Sequence, residues 1–166
     1  RTGAVREQYS AAALHEDLGS SPATLESSKL VDAYGLVNGN SSEQADAIKA
    51  YVQARLTGPK SWVSLPKEYC PAHFHDIRDP VVPLDYALYG HPDAGTSWEY
   101  KSHRYLESVG FEAIESSNSL FWHAQLKLLL MVYVDDFRTS GPQGNLKQGW
   151  ALIRGKLDLE DPSPPD

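Results

Sequence analysis

Cysteine is almost missing from this sequence, and its scarcity excludes several classes of protein. Cys70 is the single cysteine among 166 residues, which excludes an internal disulfide framework and a multi-cysteine metal site. Long hydrophobic runs are missing too. The longest covers residues 128–134, whereas a helix needs about 20 apolar residues to cross a bilayer. The sequence therefore predicts no membrane partner and a chain that folds around its own core.

Basic side chains are also in short supply. The chain has 15 Lys and Arg against 22 Asp and Glu, a formal net charge of −7. It has no basic stripe, although a self-sufficient nucleic-acid binder usually carries one. With 41% hydrophobic and 22% charged residues, the composition is that of an ordinary globular domain. The acidic balance taken alone argues against a nucleic-acid protein.

Helical and strand patterns mix irregularly along the chain. Helices are predicted over residues 23–34 (capped by Ser21, with Pro22 in the first turn), 94–109 and 143–156. Strands are predicted at residues 61–65, 111–114, 119–123, 126–134 and 137–140. The last of these is expected to pair back on the one before it. Antiparallel hairpins mixed with helices predict an α+β fold rather than a regular βαβ alternation.

The most informative segment is a pair of adjacent carboxylates that follows the long apolar run. Tyr133, Val134, Asp135 and Asp136 stand between this run and a second short strand. Adjacent acids repel each other, and a bound divalent cation reverses the sign of that interaction, since Mg²⁺ prefers oxygen ligands. A strand-borne turn holds such ligands rigidly, as two-metal phosphoryl transfer requires. The alternative interpretation is a solvated hairpin turn, where aspartate is common.

This tetrapeptide resembles the palm signature of reverse transcriptases, and the neighbouring blocks resemble the copia-type retrotransposon branch of that family. The further blocks, in family-like order, are residues 44–53, 63–69, 87–90 with Trp98 downstream, and Gly110-Phe111 followed by 119–121. The resemblance implies a right-hand polymerase palm, with an antiparallel sheet and helices packed on one face, plus part of the fingers. It also implies that residues 1–166 are a single-domain fragment of the Pol polyprotein, truncated before the primer grip and thumb.

The resemblance assigns a role to each matched residue. It implies that Asp46 and Asp135 are catalytic and together hold two Mg²⁺ ions, with Mn²⁺ as an alternative. The two side chains are therefore expected to lie close enough for a metal ion to bridge them. The Ala47 carbonyl is implied as a backbone ligand, and Asp136 as a further catalytic and metal-site carboxylate beside them. Tyr51, five residues after Asp46, is implied to lie under the nucleotide sugar and to exclude a 2′-hydroxyl. The other implied nucleotide- or primer-binding residues are Ala50, Tyr89, Gly90, Tyr133 and Val134.

The implied function is RNA-directed DNA polymerisation, in which a DNA primer on an RNA or DNA template is extended with dNTPs. The implied partners also include the integrase and RNase H segments of the polyprotein, and the implied location is a cytoplasmic virus-like particle. Two other classes stay open. One is a decayed or truncated palm without catalytic activity, and the other is a different two-metal nucleotidyl transferase.

Several residues depart from the family pattern or suggest other chemistry. Residues 91–95 replace basic and amide groups that the family usually carries, which puts a template or nucleotide contact in doubt, and Arg138 replaces an apolar residue. Cys70, His73 and His75 are a weaker zinc candidate, because they provide only part of a four-ligand set. Loop histidines on a proline-rich surface are the preferred interpretation. Three tryptophans could stack on bases but are expected mainly in the core: Trp98, Trp122 and Trp150.

Overall fold

The computed structural model describes residues 25–115 and 117–165, so the predicted cap at Ser21 and first turn at Pro22 lie outside the described residues. The α-helices of this part are α1 (Leu25–Gly35), α2 (Ala94–Ser108) and α3 (Gln143–Ile153). The strands are β1 (Asn40–Asp46), β2 (Ser61–Ser64), β3 (Val81–Leu84), β4 (Glu112–Ile114), β5 (Ser117–His123), β6 (Leu128–Tyr133) and β7 (Asp136–Pro142). Short 3₁₀ turns occupy Ala50–Gln53, Lys67–Tyr69 and Ala72–Phe74.

Five of the strands form one antiparallel sheet in the order β1-β7-β6-β5-β4, while β2 and β3 form a separate hairpin. The predicted hairpin between the apolar run and the strand after it is present, with Tyr133 opposite Asp136. β1 joins this hairpin from a distant part of the chain and places Asp46 opposite Asp136. The α+β prediction is confirmed, because the described chain combines an antiparallel sheet with three helices.

Helices cover both faces of the five-stranded sheet, so the expectation that they pack on one face is wrong. Trp98 of α2 and Trp150 of α3 share one buried cluster with Leu130 of β6. On the opposite face, Val31 of α1 packs against Leu129. The reason lies in β6, where five successive residues are buried. Since neighbouring side chains on a strand point to opposite faces, an unbroken apolar strand requires cover on both sides.

The helices α2 and α3 follow the predicted pattern closely. Leu106 of α2 and Ile153 of α3 are completely buried, as their helical spacing predicts. Gly110 comes just after α2 with φ +95°, and a Cβ there would lie 3.0 Å from Nε2 of His123. The left-handed conformation and the close ring both favour glycine at this helix end. Among the described helices, none combines the length and apolar character needed to span a membrane.

Candidate active site

The three predicted metal-site aspartates meet where β1 ends beside the β6–β7 turn, and we call Asp46, Asp135 and Asp136 the acidic triplet. Strand pairing sets Asp46 opposite Asp136. The backbone N–H of Ala47, the next residue after β1, donates to the Asp135 carbonyl over 2.7 Å. All three aspartates are exposed. The fold therefore brings together acids that lie about 90 positions apart, as the cross-strand register requires.

Within the acidic triplet, Asp136 is affected more strongly by Asp46 than by Asp135. Partial burial raises the pKa of Asp136, and a hydrogen bond from its carboxyl to Asp46 raises it further. The negative charges of Asp46 and Asp135 act in the same direction, while Arg138 opposes them. The ionised form of Asp136 is thus disfavoured beside its acidic neighbours, and a proton on its carboxyl or a bound cation relieves the repulsion.

The triplet does not form a compact three-carboxylate centre. Across residues 25–115 and 117–165, no three His, Cys, Asp or Glu side chains are grouped as a metal site. Asp46 is paired across the strands with Asp136 and raises its pKa, whereas the resemblance emphasised Asp46 and Asp135. Asp135 acts on its surroundings through its charge, which raises the pKa of Tyr51 as well as that of Asp136.

The β6–β7 turn has an unusual backbone. Val134 adopts φ +56°, whereas Asp135 is not left-handed. Positive φ at only the first central residue is the pattern of a type II′ turn, a position that normally carries glycine. The Val134 carbonyl accepts a hydrogen bond from Nε1 of Trp98. A β-branched residue in this conformation is a genuine outlier, and it depends on contacts from outside the hairpin.

Three of the predicted nucleotide-binding residues are tyrosines beside Asp135. The rings of Tyr51 and Tyr89 are 4.7 Å apart, inclined at 54°. Burial raises the pKa of Tyr51, and the charge of Asp135 raises it further, with smaller contributions from Tyr89 and Tyr133. Tyr89 and Tyr133 expose 56% and 44% of their surface. Tyr51, Tyr89 and Tyr133 therefore lie together beside Asp135, accessible to a ligand.

The remaining predicted residues contribute backbone and packing. Ala50 is 1% exposed, and its side chain belongs to the core beneath the 3₁₀ turn that carries Tyr51. Gly90 has φ +89°, a conformation that glycine adopts without strain. Val134 occupies the turn itself, with 36% of its surface exposed.

Two basic residues near the site escaped the sequence-based prediction of site residues. Lys101 of α2 donates to the carbonyl of Gln53, which ends the 3₁₀ turn carrying Tyr51, over 2.7 Å. Burial lowers the pKa of Lys101. Arg138 donates to Asp32 over 2.9 Å and to Gln44 over 3.1 Å, and so ties α1 to β1. No local spacing signals these contacts, because each joins distant parts of the chain.

The segment 91–95, which departs from the family pattern, forms a joint between the β2–β3 hairpin and α2. His91 Nε2 lies 2.8 Å from Oγ of Ser61, and His91 Nδ1 accepts the backbone N–H of Asp93 over 3.1 Å. In the neutral ring this acceptor role leaves the proton on Nε2, which donates to Ser61. An activated serine needs the opposite arrangement, with its hydroxyl donating to the ring. The Ser61–His91 pair therefore connects two segments rather than activating a nucleophile.

The zinc candidates lie in the long connection between β2 and β3. Cys70 and His75 line a cavity of about 720 Å³ in the long connection between β2 and β3. His73 packs its ring against Phe74 at 4.5 Å.

Fold and site together define a mixed α+β protein with an acidic, tyrosine-lined corner at the end of a β-hairpin. Comparison of the chain with protein-family models finds no match, and comparison with curated proteins finds none either.

Replacing Asp136 with asparagine is expected to stabilise the fold at neutral pH by about 0.5 kcal/mol, the scale of a cross-strand charge pair. The folded state raises the pKa of Asp136, so ionisation of Asp136 opposes folding. The stability associated with the protonated group is present below the unfolded pKa and is lost as pH rises through the folded pKa. The gain in the variant should thus be largest near pH 7 and shrink toward about pH 4, near the unfolded value.

Urea unfolding at both pH values measures this effect. Glu43→Gln is the matched control. It also removes a negative charge from β1, but Glu43 lies opposite Thr139, which is uncharged. A loss of stability in Asp136→Asn at neutral pH, or an equal gain in the control, would contradict the prediction.

Proposed function

We propose that this chain is the palm, with part of the fingers, of an RNA-directed DNA polymerase of the copia-type retrotransposon family. The observation that carries the proposal is the convergence of separate sequence blocks at one corner. Asp46 ends β1 opposite Asp136, and Tyr51 packs on Tyr89 beside Asp135. The family resemblance implies a role for each of these residues, and such clustering is what a polymerase site requires.

The donor set of the acidic triplet fits Mg²⁺ or Mn²⁺. Two aspartates paired across the strands, with a third negative charge beside them, repel one another as carboxylates and suit a hard cation that prefers oxygen ligands. Asp46 and Asp136 would hold the metal together with Asp135, and the Ala47 carbonyl is the proposed backbone ligand. When bound, two such ions lower the barrier for attack of the primer 3′-hydroxyl on the α-phosphate and stabilise the leaving pyrophosphate.

The other residues of the corner bind and orient. Tyr51 supports the sugar of the incoming nucleotide, and its ring occupies the space that a 2′-hydroxyl would need. Tyr89 packs against that ring and restricts its orientation. Tyr133 and Val134, both partly exposed, form the surface beneath the primer end.

The proposed partners are an RNA or DNA template, a DNA primer, dNTPs and the integrase and RNase H segments of a Pol polyprotein, in a cytoplasmic virus-like particle. A palm that folds without catalysing is the second candidate. One observation favours it: in the part of the chain that the structure describes, no three ligand side chains form a metal group.

Primer extension tests the two candidates. The substrate is a labelled DNA primer on an RNA template, with dNTPs and Mg²⁺. The chain is assayed both as residues 1–166 alone and extended by its neighbouring coding sequence. Extension that EDTA abolishes and Mg²⁺ restores supports the polymerase. No extension by either version, with the fold verified by circular dichroism, supports the inactive palm.

Tyr51→Ala is expected to reduce the preference for dNTPs over rNTPs by about tenfold or more, since the variant lacks the ring that excludes the 2′-hydroxyl. The measurement is the ratio of kcat/KM values for a dNTP and the matching rNTP. Tyr51→Phe keeps the ring and should keep the ratio. Tyr69→Ala removes a tyrosine that is 74% exposed in the β2–β3 connection and should also leave it unchanged. An unaltered dNTP-to-rNTP ratio in Tyr51→Ala would contradict the proposed role of Tyr51 in selecting the sugar.

A further inference from the structure

We propose that Trp98 is a positioning residue that clamps the β6–β7 turn in its strained conformation and thereby sets the orientation of Asp135 and Asp136. The catalytic consequence rests on the proposed function. The structural part of the proposal, the clamp itself, stands on contacts in the described residues.

The strain is located at one residue. Val134 has φ +56°, and a β-branched side chain is strongly disfavoured in that region. The residue is only partly buried, with 36% of its surface exposed, so its side chain is not locked in the core. Outliers of this kind persist only where surrounding structure over-determines them, and they concentrate at functional sites.

The surrounding structure holds both carbonyl groups of the turn. The Val134 carbonyl accepts the Trp98 indole N–H over 2.5 Å, and the Asp135 carbonyl accepts the Ala47 N–H over 2.7 Å. The first donor belongs to α2 and the second follows β1. The turn is therefore fixed from two sides by parts of the chain that are distant in sequence.

Trp98 is itself well fixed. It is 2% exposed, and its ring packs edge-on against Phe137 with centroids 6.4 Å apart. A buried indole N–H needs an acceptor, because leaving it unpaired is costly. The Val134 carbonyl meets that need only in its present orientation, so the buried donor and the strained turn depend on each other. Val134 leads directly into Asp135 and Asp136, and their carboxyls follow the backbone of the turn.

The opposing interpretation is that Trp98 only fills the core. The Trp98→Phe variant distinguishes the clamp from simple core filling, since it removes the indole donor and keeps an aromatic ring. Trp150→Phe is the matched control, because Trp150 is 3% exposed in the same cluster and its indole N–H has no hydrogen-bond partner among the described residues. Val134→Gly relieves the strain, and the double variant Trp98→Phe with Val134→Gly tests whether the clamp acts through the turn.

Three measurements report on the clamp: hydrogen exchange of the Ala47 amide, affinity for Mn²⁺ alone, and kcat and KM of primer extension. Trp98→Phe is expected to speed amide exchange and weaken Mn²⁺ binding by about tenfold, the effect of losing one hydrogen bond. It should lower kcat more than it raises KM for dNTP. Trp150→Phe should change each of these by less than about threefold, and Val134→Gly should restore most of the loss in the Trp98→Phe background.

Equal effects of Trp98→Phe and Trp150→Phe, or no rescue by Val134→Gly, would overturn the proposal. If Trp98→Phe fails to fold, the Val134→Gly variant alone tests the proposal. If the turn is strained, this variant must unfold at a higher urea concentration than the parent. An unchanged or lower urea midpoint would contradict the proposal. Exchange and Mn²⁺ binding need no polymerase activity. A parent that never extends primers while the exchange and Mn²⁺ effects appear would contradict the proposed function and support the clamp.

Discussion

Asp135→Asn is expected to reduce Mg²⁺-dependent primer extension by at least about 1,000-fold, equivalent to roughly 4 kcal/mol of transition-state stabilisation. Asparagine has nearly the same shape as aspartate and lacks its charge. Asp135 is exposed, and its hydrogen bond to Ala47 uses the backbone carbonyl, which the substitution leaves in place. The variant should therefore fold like the parent while the proposed metal site loses a negative charge.

The measurement is initial extension rate at saturating Mg²⁺, with a urea melt to show that stability is unchanged. Asp158→Asn is the control, because Asp158 is an exposed acid near the end of β1 that lies outside the acidic triplet. The Asp158 carbonyl accepts from the N–H of Ile48, just beyond β1, and the backbone contact survives the substitution. Equal extension rates for the parent and Asp135→Asn would contradict the catalytic assignment of Asp135.

Phe137→Ala is expected to destabilise the fold by about 4 kcal/mol, which is typical of the removal of a fully buried aromatic ring. Phe137 has no exposed surface and follows Asp136 directly along β7. Its ring packs against Trp98, so the cavity opens beneath the β6–β7 turn. The substitution thus weakens the core and the support of the site together.

Urea unfolding at pH 7 measures the loss for Phe137→Ala. Leu36→Ala is the comparison, since Leu36 is 87% exposed and its truncation should cost less than about 0.5 kcal/mol. A cost below about 1.5 kcal/mol for Phe137→Ala would mean that the surrounding core collapses into the space or that the ring is less buried in solution.

Local sequence patterns predicted most of the individual elements. The spacing of apolar residues and Gly110 placed α2 within a residue or two of its bounds, because helix periodicity and end signals are local properties. The hairpin of β6 and β7 was likewise predictable, since an apolar strand, two turn residues and a second strand are contiguous. The prediction missed that helices cover both faces of β6, although the unbroken apolar run already indicated a strand that is buried on both faces.

The candidate site was predictable only as a set of residues. A family resemblance selected Asp46, Tyr51 and Asp135, which are spread over about 90 positions. Their mutual arrangement depends on the register of β1 against β7, and register between distant strands is set by the packing of a whole face. The pairing of Asp46 with Asp136 and the hydrogen bond from Arg138 to Gln44 follow from that register.

The sequence by itself determined that the chain has no internal disulfide framework and no long apolar run, that it is α+β, and that two adjacent acids follow its most apolar strand. These are consequences of composition and local order. Tertiary structure alone decided which acid faces Asp46, why Val134 tolerates a left-handed backbone and what Trp98 holds. Each of these joins residues that only folding brings together, and a strained turn survives only where contacts from other elements outweigh its cost.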